Sequence, residues 1–185
     1  MQALPHQDHR GTPSRRGARR GSARARRVVA VLVGIATAVS VAGCSATARV
    51  TGGMDDTVRQ VRDRVETVAR ASSSAAEIER RIRAGESYTL LILDPSPQDI
   101  RSTEPSPPTV ITSVRGDGDR VEVEMYTTGQ ASYSTGWFGD RAVNAVGCAR
   151  LTVRAGARTT AAGTSCGDTV RAVFVDPWVE VRLRP

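Results

Sequence analysis

The sequence predicts an α+β domain in which one N-terminal amphipathic helix packs on a curved, mostly antiparallel sheet of five or six strands. Three observations lead to this prediction. Apolar residues recur every three or four positions from Val58 onward, as on one face of a helix. After Gly85 the apolar residues alternate with polar ones, as in half-buried strands. The segment 116–119, Gly-Asp-Gly-Asp, joins two of these runs and has the composition of a hairpin turn.

The helix is predicted to begin near Asp55, Asp56 and Thr57, which supply the acidic and capping side chains of a helix N-terminus. Three Arg precede Gly85, a residue that suits the end of a helix. The apolar stripe of the predicted helix is made of small side chains and rotates slightly around the helix in the last two turns. It comprises Val58, Val61, Val65, Val68, Ser72, Ala75, Ile78 and Ile82. The stripe could pack on the sheet or pair with another helix.

The predicted strands cover residues 87–93, 110–115, 120–128 and 141–154, with one or two more in 170–175 and 178–183. Five Pro residues in 94–109 predict an irregular loop between the first two strands. Residues 129–140 and 155–168 are rich in Gly and are predicted to connect strands. The resulting helix across a curved sheet resembles cystatin-like folds, a likeness of architecture that carries no function.

The net charge of +7 is confined to the N-terminal leader. Residues 1–43 contain eight Arg and one acidic residue, whereas the remaining 18 Arg and 18 Asp and Glu cancel. A nucleic-acid-binding domain needs a basic surface on its folded part. We therefore expect no nucleic-acid partner.

The residue types present exclude several kinds of catalysis. The chain has no Lys, which rules out Schiff-base and P-loop chemistry that depends on a lysine. Its only two His, His6 and His9, lie in the leader, so a cleaved protein has no imidazole base or imidazole zinc ligand. We expect no enzyme activity, no metal and no cofactor.

The leader has the organisation of an export signal. Residues 1–27 form an Arg-rich n-region and residues 28–43 an apolar segment. Residues 41–45, Val-Ala-Gly-Cys-Ser, resemble the lipobox of bacterial lipoproteins, although Val41 replaces the more usual Leu. The resemblance implies that Cys44 receives a diacylglycerol and becomes the new N-terminus.

On this interpretation residues 44–53 are the lipidated Cys and a flexible tether, and residues 54–185 form one extracytoplasmic domain. The domain would lie on the outer face of the cytoplasmic membrane. The alternative is an uncleaved signal anchor, because the 21 uncharged residues 28–48 meet the length that a bilayer requires. Both alternatives place the domain outside the cytoplasm.

Two further cysteines, Cys148 and Cys166, remain in the domain. Two thiols in an oxidising compartment most simply form one disulfide, and we expect this pair to be structural. A redox-active pair is the alternative, although the chain has no Cys-x-x-Cys motif.

Three groups of residues are candidate sites. Glu122 and Glu124 share a strand face about 7 Å apart, a separation that could serve glycoside hydrolysis, although alternating Glu is also typical of a solvated strand. The two Asp of the Gly-Asp-Gly-Asp turn could hold Ca²⁺ but lack further oxygen ligands. Trp137 and Phe138, in a Gly-rich loop, could contact a partner or cover the end of the sheet.

The arrangement around residues 137–139, 148–153 and Cys166 is similar to small uncharacterised actinobacterial cell-envelope lipoproteins and membrane-anchored proteins, over roughly residues 54–170. That resemblance implies a location at the cell envelope and no assigned activity. We expect a non-enzymatic module for an envelope protein, glycan or lipid. The alternatives are a carboxylate-dependent hydrolase of cell-wall polysaccharide and self-assembly through the Val-striped helix.

Overall fold

The computed structural model describes residues 21–103, 109–135 and 139–185, with side chains from residue 45 onward. The chain divides into two units, Met1–Ser40 and Val41–Pro185. The described part of the first unit is helical backbone that begins at Gly21. The second unit contains the sheet, and every contact discussed below lies within it.

The second unit is an α+β fold with a six-stranded mixed sheet. The described helices are α1 (Gly21–Arg70), α2 (Ala75–Arg83), α3 (Pro97–Ser102) and α4 (Asp168–Arg171). The strands are β1 (Leu90–Leu91), β2 (Thr109–Asp117), β3 (Arg120–Ser134), β4 (Asp140–Arg154), β5 (Thr160–Thr164) and β6 (Trp178–Glu180).

The strand order is β1-β2-β3-β4-β5, and β6 pairs with β4. The pairs β2–β3, β3–β4 and β4–β5 are antiparallel, whereas β1–β2 and β4–β6 are parallel. The sheet is therefore more mixed than the sequence predicted. One edge of β4 is shared by β6, opposite residues 144–146, and by β5, opposite residues 148–152. The predicted hairpin between β2 and β3 is confirmed, and Gly118 adopts the positive φ of 62° that its turn requires.

The helices α1 and α2 cover the first face of the sheet, where the main core lies. Side chains from both helices pack on alternate residues of β3 and β4. The helical members are Val50, Met54, Val58, Val61, Val65, Val68, Ala69, Ile78 and Ile82. The strand members include Val121, Val123, Met125, Ala145, Ala149, Leu151 and Val153.

A second, smaller core lies on the opposite face, at one end of the sheet. Here α3 and α4 contribute Ile100 and Val170, and Tyr126 and Cys148 come from the strands. The Phe174 ring packs 5.5 Å from Tyr126 and 4.9 Å from Trp178, measured between ring centroids. Val110 of β2 and Val146 of β4 also belong to this second core.

The predicted single helix is interrupted, because α1 ends at Arg70 and α2 begins at Ala75. The Ser74 hydroxyl accepts the Glu77 N–H at 3.2 Å, and the Glu77 carboxylate accepts the Ser73 N–H at 2.8 Å. These bonds cap a new helix, and those from the Ser73 backbone and hydroxyl lower the pKa of Glu77. The rotation of the apolar stripe reflects this break. Residues 45–53, predicted to be a flexible tether, are also helical and belong to α1.

Two predicted strands differ in the structure. Only Leu90–Leu91 of residues 87–93 pairs as a strand, since Tyr88 adopts a left-handed φ of 51° that ends extended backbone. Residues 170–175 contain the end of α4 and a turn, and Val170 and Phe174 are buried with helical spacing. The Pro-rich segment 94–109 contains the short α3, whose first turn is closed by a capping box between Ser96 and Asp99.

The C-terminal segment packs against two glycines of the sheet. A Cβ at Gly147 would lie 2.8 Å from the Leu183 side chain, and a Cβ at Gly163 would overlap the Leu183 carbonyl. Leu183 is 2% exposed and belongs to the main core. Glycine at these two positions therefore allows the segment to approach the backbone of β4 and β5.

Candidate functional site

A cavity of about 500 Å³ lies on the second face of the sheet. Its floor comes from β2, β3 and β4, and its walls come from Asp94 and Pro95 on one side and residues 164–170 on the other. The volume falls within the range of small-molecule sites, roughly 300–1,000 Å³. We call this cavity the second-face pocket.

A β-bulge in β2 shapes the floor of the second-face pocket. Ile111 pairs with Met125 and Ser113 pairs with Glu124, so Thr112 is an extra residue on β2. The Thr112 hydroxyl donates a hydrogen bond to the Glu124 carbonyl at 3.3 Å, and the Thr112 carbonyl accepts one from the Asp94 N–H at 2.9 Å. The bulge thus brings the Asp94 wall to the floor.

Ser113 is a buried polar residue of this floor. It is 6% exposed and lines the pocket, and the next residue, Val114, points to the main core on the other face. It lies opposite Glu124 in the β2–β3 pairing, and both residues line the pocket. A serine hydroxyl has one donor and two acceptor sites that a bound molecule can use.

Two ion pairs supply the charges of the pocket. Arg150 donates to Glu124 at 2.8 Å, across the β3–β4 register that places the two residues opposite each other. Arg115 donates to Asp94 at 3.0 Å. With two Arg and two carboxylates, the lining has no net formal charge.

The confirmed disulfide joins the floor of the pocket to one wall. Cys148 of β4 and Cys166 lie with their Cα atoms 5.1 Å apart. The Glu180 carboxylate accepts the Cys166 N–H at 2.8 Å and the Arg171 Nε–H at 3.0 Å, and these two bonds lower the pKa of Glu180. The segment 164–170 is therefore fixed covalently and by hydrogen bonds.

Of the two predicted carboxylates, Glu124 lines the pocket, and both are paired with Arg150. Arg150 lies 2.8 Å from Glu124 and 3.8 Å from Glu122, and such a pairing favours the ionised form of a carboxyl group that a general acid would have to keep protonated. In the hairpin turn, Asp117 is paired with Arg120 at 2.5 Å and Asp119 with Arg154 at 3.4 Å. No group of three potential ligands suited to a metal occurs among the described side chains.

Three predicted site residues lie outside the described residues. Trp137 and Phe138 fall between Thr135 and Gly139, and the side chain of Cys44 precedes the first described one. In the part of the chain where side chains are described, no helix combines the length and the apolar character needed to cross a membrane.

Sequence reasoning missed Ser113, Arg115 and Arg150 as members of one site. The hairpin at residues 116–119 fixes the pairing of Arg115 with Glu122, and so indicates which residues of β2 share the face of Glu122. The contribution of Arg150 depends on the β3–β4 register, and that of Ser113 on the bulge. Neither has an unambiguous signal in the sequence.

Comparison with known proteins gives no match: no family model, no curated protein and no solved structure resembles this chain significantly.

Proposed function

We propose that this chain is a non-enzymatic binding module, held at the outer face of the cytoplasmic membrane by a lipid on Cys44, and that the second-face pocket takes a small polar ligand. The observation that carries the proposal is the construction of the pocket. Its floor and one wall are joined by the Cys148–Cys166 disulfide, and its lining combines hydroxyls and paired charges with several apolar side chains. A preformed concave cavity in which polar groups converge is typical of ligand sites.

The anchor is supported by the sequence of the leader and by the disulfide, which is typical of oxidising compartments. The alternative anchor is an uncleaved transmembrane segment over residues 28–48. A hydrolase using Glu122 and Glu124 is the less favoured activity, because both carboxylates are paired with Arg150. The likeness to cystatin-like folds is supported by the packing of α1 and α2 on one face of the sheet.

Trp137 and Phe138 are a second proposed contact, with an envelope protein, glycan or lipid. The described parts of the β3–β4 hairpin contact the N-terminal part of the domain. Arg49 of α1 donates to the Ser132 carbonyl at 3.4 Å, and a Cβ at Gly129 would lie 3.0 Å from Val50. Residues 136–138 connect the two strands of this hairpin.

The anchor is tested by the intact mass of the protein extracted from membranes of cells that express the full chain. We expect a chain that begins at Cys44 and carries a diacylglycerol, and a Cys44→Ala variant that keeps its leader. Trp137→Ala serves as the matched variant, because it changes the domain and leaves the leader intact. A full-length, unmodified wild-type chain would contradict the lipid anchor.

The binding function is tested separately, by thermal melts of the extracted protein with three kinds of probe: neutral trisaccharides, glycylglycine and inorganic phosphate. A ligand that binds only the folded state raises the melting temperature with its concentration. We expect at least one probe to do so, and an Arg150→Gln variant to lose the effect. The absence of any concentration-dependent rise would contradict a small-ligand site.

A further inference from the structure

The charges of the second-face pocket are already neutralised in pairs. Arg150 holds Glu124, and Arg115 holds Asp94. The lining therefore has no net formal charge and offers no net electrostatic attraction to an anionic or a cationic ligand. A neutral ligand can instead hydrogen-bond to the remaining oxygen and N–H sites of both pairs while each pair stays intact.

Hydroxyl groups line the floor and the far wall of the pocket. Ser113 lies on the floor, and Thr164, Ser165 and Thr169 line the wall that the disulfide fixes. Hydroxyls donate and accept with freely rotating hydrogens, which matches a ligand whose own polar groups are hydroxyls. Ser113, at 6% exposed, is the most buried of these four residues, so a hydrogen bond between its hydroxyl and a ligand would be the best shielded from water.

Apolar side chains complete the lining. Pro95 on one wall and Val170 on the other are only partly exposed or buried, and neither carries a polar side-chain group. Sugar rings present C–H groups on one face and hydroxyls at their rim. A cavity with apolar walls, hydroxyls and neutralised charges therefore complements a sugar ring better than it complements an ion.

From these observations we propose that the second-face pocket binds a neutral glycan, recognised by Ser113 on the floor and by the Arg150–Glu124 pair beside it. This inference rests on the proposed binding function and names the class of its ligand. It requires no bond to be made or broken, and it assigns no catalytic role to Glu124.

The test is the dissociation constant of the extracted full chain for cellotriose, chitotriose and maltotriose, measured by calorimetry in a detergent without a sugar headgroup. The variant is Ser113→Ala, and the matched control is Ser132→Ala on the exposed part of β3. We expect one trisaccharide or more to bind, with an affinity reduced roughly 5- to 10-fold by Ser113→Ala, as for the loss of one hydrogen bond, and unchanged by Ser132→Ala. The affinity should also be insensitive to salt, because the ligand is uncharged.

Two outcomes would overturn the inference. One is binding that Ser113→Ala leaves unchanged, which would place the glycan elsewhere. The other is saturable binding of glycylglycine or phosphate without any binding of the three trisaccharides. In that second case the ligand class is wrong, but the proposed binding function stands. If none of the probes binds, both the glycan ligand and the proposed binding function are overturned.

Discussion

The Glu66 carboxylate accepts a hydrogen bond from the backbone N–H of Thr159 at 3.1 Å, across 93 positions of the chain. Glu66 is 9% exposed and Thr159 is 2% exposed, so this bond is shielded from water. The other carboxylate oxygen of Glu66 pairs with Arg70, one helical turn further along α1. The contact therefore fixes the loop before β5 to the helix that covers the main core.

Removal of this acceptor should destabilise the fold. Glu66→Ala leaves the buried Thr159 N–H without its partner, and we expect the free energy of unfolding to fall by about 2 kcal/mol. Urea unfolding measures the change. Asp63→Ala is the control, because the Asp63 side chain is 67% exposed. This substitution should change the free energy of unfolding by less than about 0.5 kcal/mol. Equal effects of the two substitutions would show that the contact contributes nothing specific.

Replacing the side chain of Thr159 should stabilise the fold, in contrast to the loss expected for Glu66→Ala. Its hydroxyl is buried and makes no hydrogen bond with the described residues. Thr159→Val replaces the hydroxyl with a methyl group of similar volume and keeps the N–H that Glu66 accepts, so we expect the free energy of unfolding to rise by about 1 kcal/mol. Thr160→Val, at the exposed start of β5, controls for the change in strand propensity. A lower melting temperature for Thr159→Val alone would mean that the hydroxyl has a partner in solution.

The disulfide should contribute substantially to stability. Cys148 and Cys166 are 18 positions apart, and cross-linking a loop of this size stabilises by about 3 kcal/mol through the unfolded state. We expect the Cys148→Ser, Cys166→Ser double variant and the reduced wild type to lose the same amount in urea unfolding. If the double variant unfolds at the same urea concentration as the oxidised wild type, the cross-link is not stabilising.

The close approach at Gly163 should not tolerate a side chain. In Gly163→Ala the new Cβ would overlap the Leu183 carbonyl, which must move and disturb the packing of Leu183 in the main core. We expect a loss of about 1–3 kcal/mol, the usual cost of overpacking. Gly167→Ala is the control, since its Cβ would have no atom within 4 Å and φ there is −68°. A Gly163→Ala protein as stable as this control would show that the C-terminal segment moves freely.

Stability at low pH should depend on Glu180. The Cys166 N–H and Arg171 hold the folded-state pKa of Glu180 below its ordinary value of 4.5. A carboxyl group with a lowered pKa stabilises the fold above its unfolded-state pKa, and this contribution is lost as the pH falls through the folded-state value. Glu180→Gln should therefore lower the melting temperature at neutral pH, and the difference from the wild type should shrink below about pH 4.

The control for this experiment is Asp119→Asn, whose side chain is 79% exposed and which removes one negative charge from the surface. Melting curves of the wild type, Glu180→Gln and Asp119→Asn across the acid range distinguish the effect of losing the hydrogen bonds of Glu180 from the effect of changing the net charge. A difference between wild type and Glu180→Gln that stays constant down to the most acidic pH would contradict the assignment.

The elements that the sequence predicts well are those with a strong local signal. The β2–β3 hairpin follows from a turn that needs glycine at a positive φ, and the long strand β4 follows from its apolar run. The disulfide was predicted from the number of cysteines and from the compartment that the leader predicts, without knowledge of the fold. Each of these predictions depends on one segment or one residue type.

The errors arise where neighbouring segments compete. Val170 and Phe174 are four residues apart, which is helical spacing, but the surrounding β-branched residues favoured a strand. The consecutive Ser residues 72–74 carry the signal that ends one helix and caps the next, yet the apolar stripe continues almost unchanged through them. Local capping decided the structure there and apolar periodicity did not.

The second-face pocket was not predictable because it depends on register. Glu124 and Arg150 are 26 positions apart and meet only in the observed β3–β4 pairing. Ser113 joins them because one extra residue in β2 shifts the alignment with β3. Sequence patterns locate the faces of these strands, but the bulge and the pairing decide which side chains become neighbours.

The shared edge of β4 implies an uneven distribution of hydrogen-exchange rates. β4 pairs along one side with β3 and along the other with both β5 and β6, so most of its amides can exchange only when the sheet separates. β1 has two residues and one neighbouring strand, so its amides can exchange through local opening. Protection should therefore decline from β4 towards β1, and the Asp94 wall of the pocket should exchange faster than the wall that the disulfide holds.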